Sequence, residues 1–117
     1  MKAREIYRLN HSYEEGHGGK VRPVLIFILT TTPNEFLALK ITSTPRPQNR
    51  VEITHWQEAN LDHISYVQCD RLSPMMLDGE AELIGILEQS DYDKVVLKVN
   101  EFYPRLQKEY EKSLKRP

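Results

Sequence analysis

VRPVLIFIL, residues 21–29, is an almost unbroken apolar run. Such a run predicts a central β-strand that is covered on both faces. Pro23 lacks the amide hydrogen that a sheet ladder requires, so it should lie at the beginning of this strand or on an edge. The stretch therefore predicts a sheet-based fold, with Arg22 held next to a proline where the strand begins.

Apolar and alternating segments on either side predict the remaining strands. They are Glu5–Leu9, Phe36–Thr42, Val51–Thr54, Tyr66–Cys69 and Ala81–Leu87. Gly85 lies inside the last of these, where a glycine indicates a bend or a close backbone approach. The segment STPRPQNR, residues 43–50, contains two prolines and is typical of an irregular, mobile loop.

The end of the chain changes to a helical pattern. Ser90 and Asp93 resemble a capping box that opens a helix, and apolar residues then repeat at spacings of three or four: Val95, Val99, Phe102, Leu106, Tyr110 and Leu114. Pro104 interrupts this stripe and predicts a kink or two consecutive helices. Five or six short strands followed by a helix predict a mainly β fold, a small, strongly curved antiparallel barrel with a C-terminal helix.

Length and composition narrow the class of protein. The 117 residues suffice for a single domain over 1–117, and 39% hydrophobic and 28% charged residues are ordinary for a globular protein. No apolar stretch approaches the length of a membrane span, and the first residues lack the apolar middle of a signal peptide. One cysteine, Cys69, excludes an internal disulfide and favours the cytoplasm. Cys and His are not clustered at ligand spacing, so we expect neither a metal nor a cofactor.

Charge is unevenly distributed although the formal net charge is only −1. Residues 16–50 hold five basic side chains against the single acid Glu35, whereas residues 70–93 hold seven acids against Arg71 alone. One face could therefore attract a polyanion while the whole protein stays close to neutral. The alternative interpretation is that these charges only solvate surface loops.

The segment GHGGK before the central strand combines flexibility with positive charge. Gly18 and Gly19 permit a close backbone approach, and Lys20 and Arg22 bring cations that suit phosphate. The segment is not a nucleotide-binding P-loop, because no GKS or GKT ends it and no helix follows. Taken alone, it is more typical of a flexible hairpin with a surface arginine.

Two strand ends carry further polar side chains. KITSTPRP delivers Thr42, Ser43 and Arg46 to the end of one predicted strand, and YVQCDRL presents Gln68 and Asp70 at the end of another. Hydroxyls at strand ends often only cap turns, and a lone aspartate is most simply a salt-bridge or turn residue. Their order along the chain carries more information than any one of them.

That order resembles the Kid/PemK and MazF toxin family from about Arg4 to the helix near Phe102. The shared motifs are EIY in the first strand, GH at Gly16–His17, RPVLI at Arg22–Ile26, ITS at Ile41–Ser43 and CD at Cys69–Asp70. AELIGIL and the helix after it match the family's final strand and helix in pattern. Gln68 stands where Kid carries an arginine, and RLSP follows Asp70 in place of the family's usual Q-x-R-T.

The resemblance implies a homodimeric, SH3-like barrel that cleaves single-stranded RNA without a metal and is held inactive by a cognate antitoxin. In the MazF branch, the arginine and threonine at the positions of Arg22 and Thr42 are required. In the Kid branch, the aspartate at the position of Asp70 is proposed as the base, the arginine as the acid, and the histidine at His17 assists.

The chemistry of these side chains agrees with that implication. Without a metal, the RNA 2′-hydroxyl must attack its own phosphate, so a base must remove its proton. A fixed guanidinium suits the charge that builds on the phosphorane oxygens, and a hydroxyl can donate to one of them. The expected catalytic residues are Arg22, Thr42, Asp70 and His17; the expected RNA-binding residues are Lys20, Ser43, Arg46, Arg50, Gln68 and Arg71.

Two other functions stay open at this point. The first is a catalytically weak relative that binds nucleic acid or a protein partner on the same barrel. The second is a toxin of this fold that poisons an enzyme, as the gyrase-directed CcdB toxins do. CcdB-like chains depend on a C-terminal tryptophan, whereas the one tryptophan here, Trp56, lies in mid-sequence.

Overall fold

The computed structural model describes residues 1–10, 21–77 and 79–104. Within these ranges the elements are β1 (Glu5–Asn10), β2 (Val21–Leu29), β3 (Glu35–Thr42), β4 (Arg50–Glu52), β5 (Tyr66–Gln68), β6 (Ser73–Met76), β7 (Glu82–Ile86) and α1 (Gln89–Phe102). The predicted central strand Val21–Leu29 is confirmed residue for residue. The GHGGK segment, with His17 and Lys20, lies outside the described residues.

The strands form an antiparallel sheet in the order β4-β5-β3-β2-β1-β7, with β6 also paired to β3. β3 therefore contacts β2 along one side, and β6 and then β5 along the other. The predicted mainly β, antiparallel and barrel-like fold with a helix at its end is confirmed. In the described part of the chain the sheet is not closed, because β4 and β7 remain as edges.

β6 is a strand that the sequence patterns did not predict. Its second residue, Pro74, pairs with Leu37 of β3, and a proline argues against a strand in most sequence contexts. In the described sheet β6 pairs only with β3, and an edge position tolerates a residue without an amide hydrogen.

The two faces of β2 pack into two different apolar clusters, as the continuous apolar run predicted. Leu25 and Phe27 join a cluster that includes Val95 and Val99 of α1. Val24 and Ile26 point the other way, into the second cluster: Tyr7, Leu9, Val24, Ile26, Phe36, Ala38 and Met75. Coverage of both faces fixes the position of β2 and so of Arg22 near its start.

The start of α1 differs from the prediction, whereas its end agrees with it. The N-cap is Glu88, whose carboxylate accepts the backbone N–H of Ser90; the prediction of a capping box at Ser90 and Asp93 was wrong. A glutamate replaces the shorter capping side chain because its carboxylate reaches the orphan amides of the first turn. The helix ends at Phe102, before Pro104, as a proline requires.

Gly85 in β7 lies against the backbone of the segment before β5, and the predicted close approach is confirmed. A Cβ at this position would overlap the Ala59 carbonyl oxygen and lie 2.9 Å from the carbonyl carbon. The Asn60 side chain also donates to the Ile84 carbonyl at 3.0 Å, so the two segments are locked together.

Gly85→Ala should therefore lower the free energy of unfolding by about 1–3 kcal/mol, the usual cost of forcing extra volume into packed structure. Urea denaturation at neutral pH measures this. Gly79→Ala is the matched control, because a Cβ at Gly79 meets nothing within 4 Å. Equal stability of the two variants would show that the backbone next to Gly85 moves at little cost to make room for a methyl group.

Candidate functional site

An open cavity of about 370 Å³ lies at one end of β2 and β3. Six of the described residues line it: Arg22, Ile41, Thr42, Ser43, Thr44 and His63. Its lining thus combines one permanent cation, three hydroxyls and one imidazole. Such a set donates hydrogen bonds readily and suits an anionic ligand.

The register of the sheet explains why these residues meet. Val24 of β2 pairs with Lys40 of β3, and two further residues of the same antiparallel register bring Arg22 opposite Thr42. Thr42 in turn pairs with Tyr66 at the start of β5. The residues that lead into β5, His63 among them, therefore reach the same end of the sheet.

The Thr42–Thr44 segment forms a local turn at the rim of the cavity. The Thr44 backbone N–H donates to the Thr42 hydroxyl oxygen at 3.3 Å, a pattern that stabilises turns after strands. This bond uses the hydroxyl as an acceptor, so Thr42 can still donate its own proton to a ligand. Ser43 and Thr44 are exposed.

Two arginines of the following loop have different positions. Arg50 donates from Nη1 to the Thr44 carbonyl at 2.7 Å, so its guanidinium holds the loop that carries the cavity's hydroxyls. The Arg46 carbonyl accepts the N–H groups of Asn49 and Arg50, while the Arg46 side chain is exposed. Arg46 is thus presented to solvent, and Arg50 is built into the loop.

Asp70 is not among the described residues that line the cavity, and it lies in a small polar cluster. Asp70 comes four residues after Tyr66, which pairs with Thr42. Four residues of extended chain span up to roughly 13 Å. The Asp70 Oδ2 accepts from the Asn49 side chain at 2.8 Å. Burial opposes ionisation, but hydrogen bonds from the Asn49 and Gln68 side chains outweigh it, and the pKa of Asp70 lies below its usual value.

Several polar atoms of the cluster around the half-buried Asp70 are buried. Asn49 Oδ1, Arg50 Nε and Asp70 Oδ1 are buried and make no hydrogen bond within the described residues. The Tyr103 hydroxyl donates to the Asp70 carbonyl at 3.0 Å and fixes the backbone there. Gln68 is half-buried opposite Arg50, whereas Arg71 is exposed beside the cluster.

Cys69, between these polar residues, belongs to the core. It is fully buried, and its Sγ lies 3.4 Å from the Val67 carbonyl. Burial raises the pKa of the Cys69 thiol to about 12. The thiolate is the reactive form of cysteine, so this position is structural.

His63 is the cavity residue that the sequence reasoning missed. It stands in NLDHIS, residues 60–65, a stretch to which the sequence patterns assigned neither a strand nor a functional motif. A strand pairing of Thr42 with Tyr66 could have located it, because the residues just before Tyr66 must then lie beside the end of β3. Sequence periodicity finds strands but not their partners.

A second group of ionisable residues lies at the start of α1. His55 Nδ1 is 3.1 Å from Asp91 Oδ2 and 3.4 Å from Glu88 Oε2, and one ligand atom from each residue lies within 4.8 Å of the others. Asp91 already accepts two backbone N–H groups, and the Lys94 ammonium lies 3.6 Å from its Oδ1. The group therefore ties a turn to the helix.

Comparison with solved structures shows where this architecture occurs. Two crystal forms of a MazE–MazF complex from Deinococcus radiodurans, Form-III and Form-II, match with TM-scores of 0.69 and 0.70 at 18% sequence identity. They cover 89% and 90% of this chain, and 96% of the matched chain in each. The toxin MazF-mt6 from Mycobacterium tuberculosis matches with a TM-score of 0.65 at 21% identity, over 86% of this chain and 97% of that one.

The chain has the fold of the MazF toxins. No family model matches the sequence, and no curated protein matches it either. The fold that the motifs implied is therefore confirmed by structure alone. In this MazF-like fold the cavity lies where the RPVLI and ITS motifs meet, and Arg22 and Thr42 come from those two motifs. No helix in the described residues is both long and apolar enough to cross a membrane.

Proposed function

We propose that the protein is a metal-independent endoribonuclease toxin that cleaves single-stranded RNA. The observation that carries this proposal is the meeting of Arg22 and Thr42 in one open cavity on a MazF-like fold. These are the two residues that the resemblance implies to be required. They come from different strands, twenty positions apart, and only the pairing of β2 with β3 brings them together.

The lining of the cavity suits transfer of a phosphoryl group within RNA. The 2′-hydroxyl attacks the adjacent phosphorus, and negative charge builds on the non-bridging oxygens. The planar guanidinium of Arg22 can donate two parallel hydrogen bonds to that charge, and Thr42 and Ser43 can donate from the other side. The products are a 2′,3′-cyclic phosphate and a 5′-hydroxyl.

The surroundings of the cavity supply contacts for the rest of the strand. Arg46 and Arg71 are exposed and can pair with phosphates, and Arg50 supports them by holding the loop. Gln68 is half-buried opposite Arg50 and is a further expected contact. A messenger RNA substrate places the protein in the cytoplasm, which the single cysteine also favours.

The proposal includes two protein partners. One is a second copy of the chain: Leu83 and Ile86 on the edge strand β7 are 50% and 54% exposed, and Leu97 of α1 is 70% exposed. Large apolar side chains at a sheet edge favour an interface. The other is an antitoxin, as in the MazE–MazF complexes, with an acidic segment that would pair with the exposed arginines.

Purified protein should cut single-stranded RNA in the presence of EDTA, because the proposed chemistry needs only side chains. Mapping the ends should show a cyclic phosphate on one fragment and a free 5′-hydroxyl on the other. DNA of the same sequence should stay intact, since it lacks the attacking 2′-hydroxyl.

Loss of cleavage in EDTA with recovery on addition of magnesium would overturn the mechanism, and so would cleavage of the DNA strand. RNA that binds but is never cut would instead support a catalytically weak relative that acts by binding.

A further inference from the structure

The cavity needs a group that accepts a proton, and among its described lining residues His63 is the one that fits. An arginine guanidinium stays protonated throughout the physiological range, and serine and threonine hydroxyls do not ionise there. Ile41 has no ionisable group. Histidine is the side chain whose ordinary pKa lies between pH 5 and 8, which suits it to proton transfer.

The segment that carries His63 is fixed at three points. The His63 carbonyl accepts the buried Ser65 hydroxyl at 2.9 Å, and the Ser65 carbonyl accepts the Ile53 N–H at 2.9 Å. Earlier in the same segment, Asn60 donates to the Ile84 carbonyl of β7. The imidazole therefore projects from an anchored backbone, as proton transfer at a defined distance requires.

We propose that His63 is the general base of the reaction, an inference that rests on the proposed ribonuclease function. The neutral imidazole accepts the proton of the 2′-hydroxyl while the 2′-oxygen forms a bond to phosphorus. The bond between phosphorus and the 5′-oxygen breaks, and its electron pair leaves with that oxygen. The 5′-oxygen takes a proton from water in the open cavity, and the imidazolium returns its proton to solvent.

Asp70, the base implied by the resemblance, is less well placed for this step. It is not among the described residues that line the cavity with Arg22 and Thr42. Its Oδ2 accepts a hydrogen bond from Asn49, and its Oδ1 is buried. Its lowered pKa also makes it a weaker proton acceptor. The geometry thus favours an exposed imidazole within the cavity over a carboxylate held outside it.

The test compares single-turnover cleavage of one RNA oligonucleotide by the wild type and by His63→Gln from pH 5 to 9. We expect a loss on the order of a hundredfold at neutral pH, typical of removing a general base. We also expect the fall in rate toward low pH to disappear, because no imidazole remains to be protonated. The Kd for an analogue with a 2′-deoxy group at the cleaved position should change less than threefold or so, as the base is not a binding group.

Matched variants assign the pH dependence to one group. Asp62→Asn changes the exposed neighbour of His63 in the same turn, and Asp70→Asn and His17→Gln remove the two rival proton acceptors. Arg22 is the other ionisable side chain among the described lining residues, and arginine guanidinium groups in general stay protonated throughout this range. Free imidazole should restore part of the activity of His63→Ala, while a folding defect would not respond to it. Thermal unfolding monitors the fold of each variant.

A His63→Gln variant with the wild-type rate and pH profile would overturn the assignment, as would loss of the low-pH limb in Asp70→Asn or His17→Gln instead. In either case wild-type cleavage would leave the ribonuclease proposal standing. Absence of cleavage by the wild type would overturn the ribonuclease proposal itself, and the role of His63 with it.

Discussion

Arg22→Ala should reduce RNA cleavage on the order of a hundredfold or more, as the loss of a fixed donor to the transition state does. Arg22 lies in the second position of β2, where Pro23 fixes the backbone that follows and the buried residues beyond it hold the strand. The backbone that carries its guanidinium is therefore fixed before substrate arrives. Single-turnover cleavage of an RNA oligonucleotide measures the loss.

Arg22→Lys separates a geometric role from a simple charge. A lysine keeps the positive charge but loses the planar fork that donates two parallel hydrogen bonds, so we expect this variant to remain strongly impaired. Thr42→Ala should lose less activity than Arg22→Ala, because a neutral hydroxyl donates a weaker bond than a cation does.

Stability provides the control for these variants, because Arg22 is exposed and Thr42 is not fully buried. Their melting temperatures should stay close to that of the wild type. If Arg22→Lys cleaves RNA as well as the wild type does, Arg22 acts only as a surface charge and the cavity is not the catalytic site.

The fold was predictable from sequence where one pattern determined one element. The run of nine residues predicted both the bounds of β2 and its burial on two faces. Gly85 correctly predicted a close approach to another backbone segment. β6 was missed because Pro74 breaks the pattern of a strand, and only its edge position makes it tolerable. The helix start was misplaced because glutamate is not a typical N-cap residue.

The site was less predictable, because it depends on which strands pair. Arg22 and Thr42 were found as residues of motifs, and the register of β2 with β3 explains their meeting. His63 carries no motif and enters the cavity only through the pairing of β3 with β5. Asp70 was linked to the site by its motif, yet it is not among the described lining residues, and its side chain is hydrogen-bonded by Asn49. Local sequence patterns do not show which strands pair, and so they do not show which residues meet.

The turn that leads to His63 depends on the buried carboxylate of a helix residue that comes much later in the sequence. Asp91, in the first turn of α1, is fully buried. Its Oδ1 accepts the Thr54 N–H at 3.1 Å, and its Oδ2 accepts the His55 N–H at 2.9 Å. Both amides belong to the start of the turn after β4, so a side chain of the helix replaces the sheet partners that the chain loses there.

Asp91→Ala should lower the free energy of unfolding by about 3 kcal/mol, because two partly buried backbone N–H groups would lose their partner. Urea denaturation at pH 7 measures the change. Asp93→Ala is the matched control on the same helix: Asp93 is exposed and accepts only the Gln89 side chain, so we expect an effect within about 0.5 kcal/mol. Equal effects of the two substitutions would show that the turn does not depend on Asp91.

The pH dependence of stability gives an independent check on the charge of Asp91. Burial alone would raise the pKa of this carboxyl, but the hydrogen bonds from the His55 and Thr54 backbone outweigh it and hold the pKa below its ordinary value. Ionised Asp91 therefore stabilises the fold above the unfolded pKa of about 3.9, and this contribution is lost as the pH falls through the lower folded pKa. The stability difference between the wild type and Asp91→Asn should be largest near neutral pH and shrink below about pH 4. A difference that stays constant down to pH 2 would mean that the contribution comes from shape and not from the ionised carboxylate.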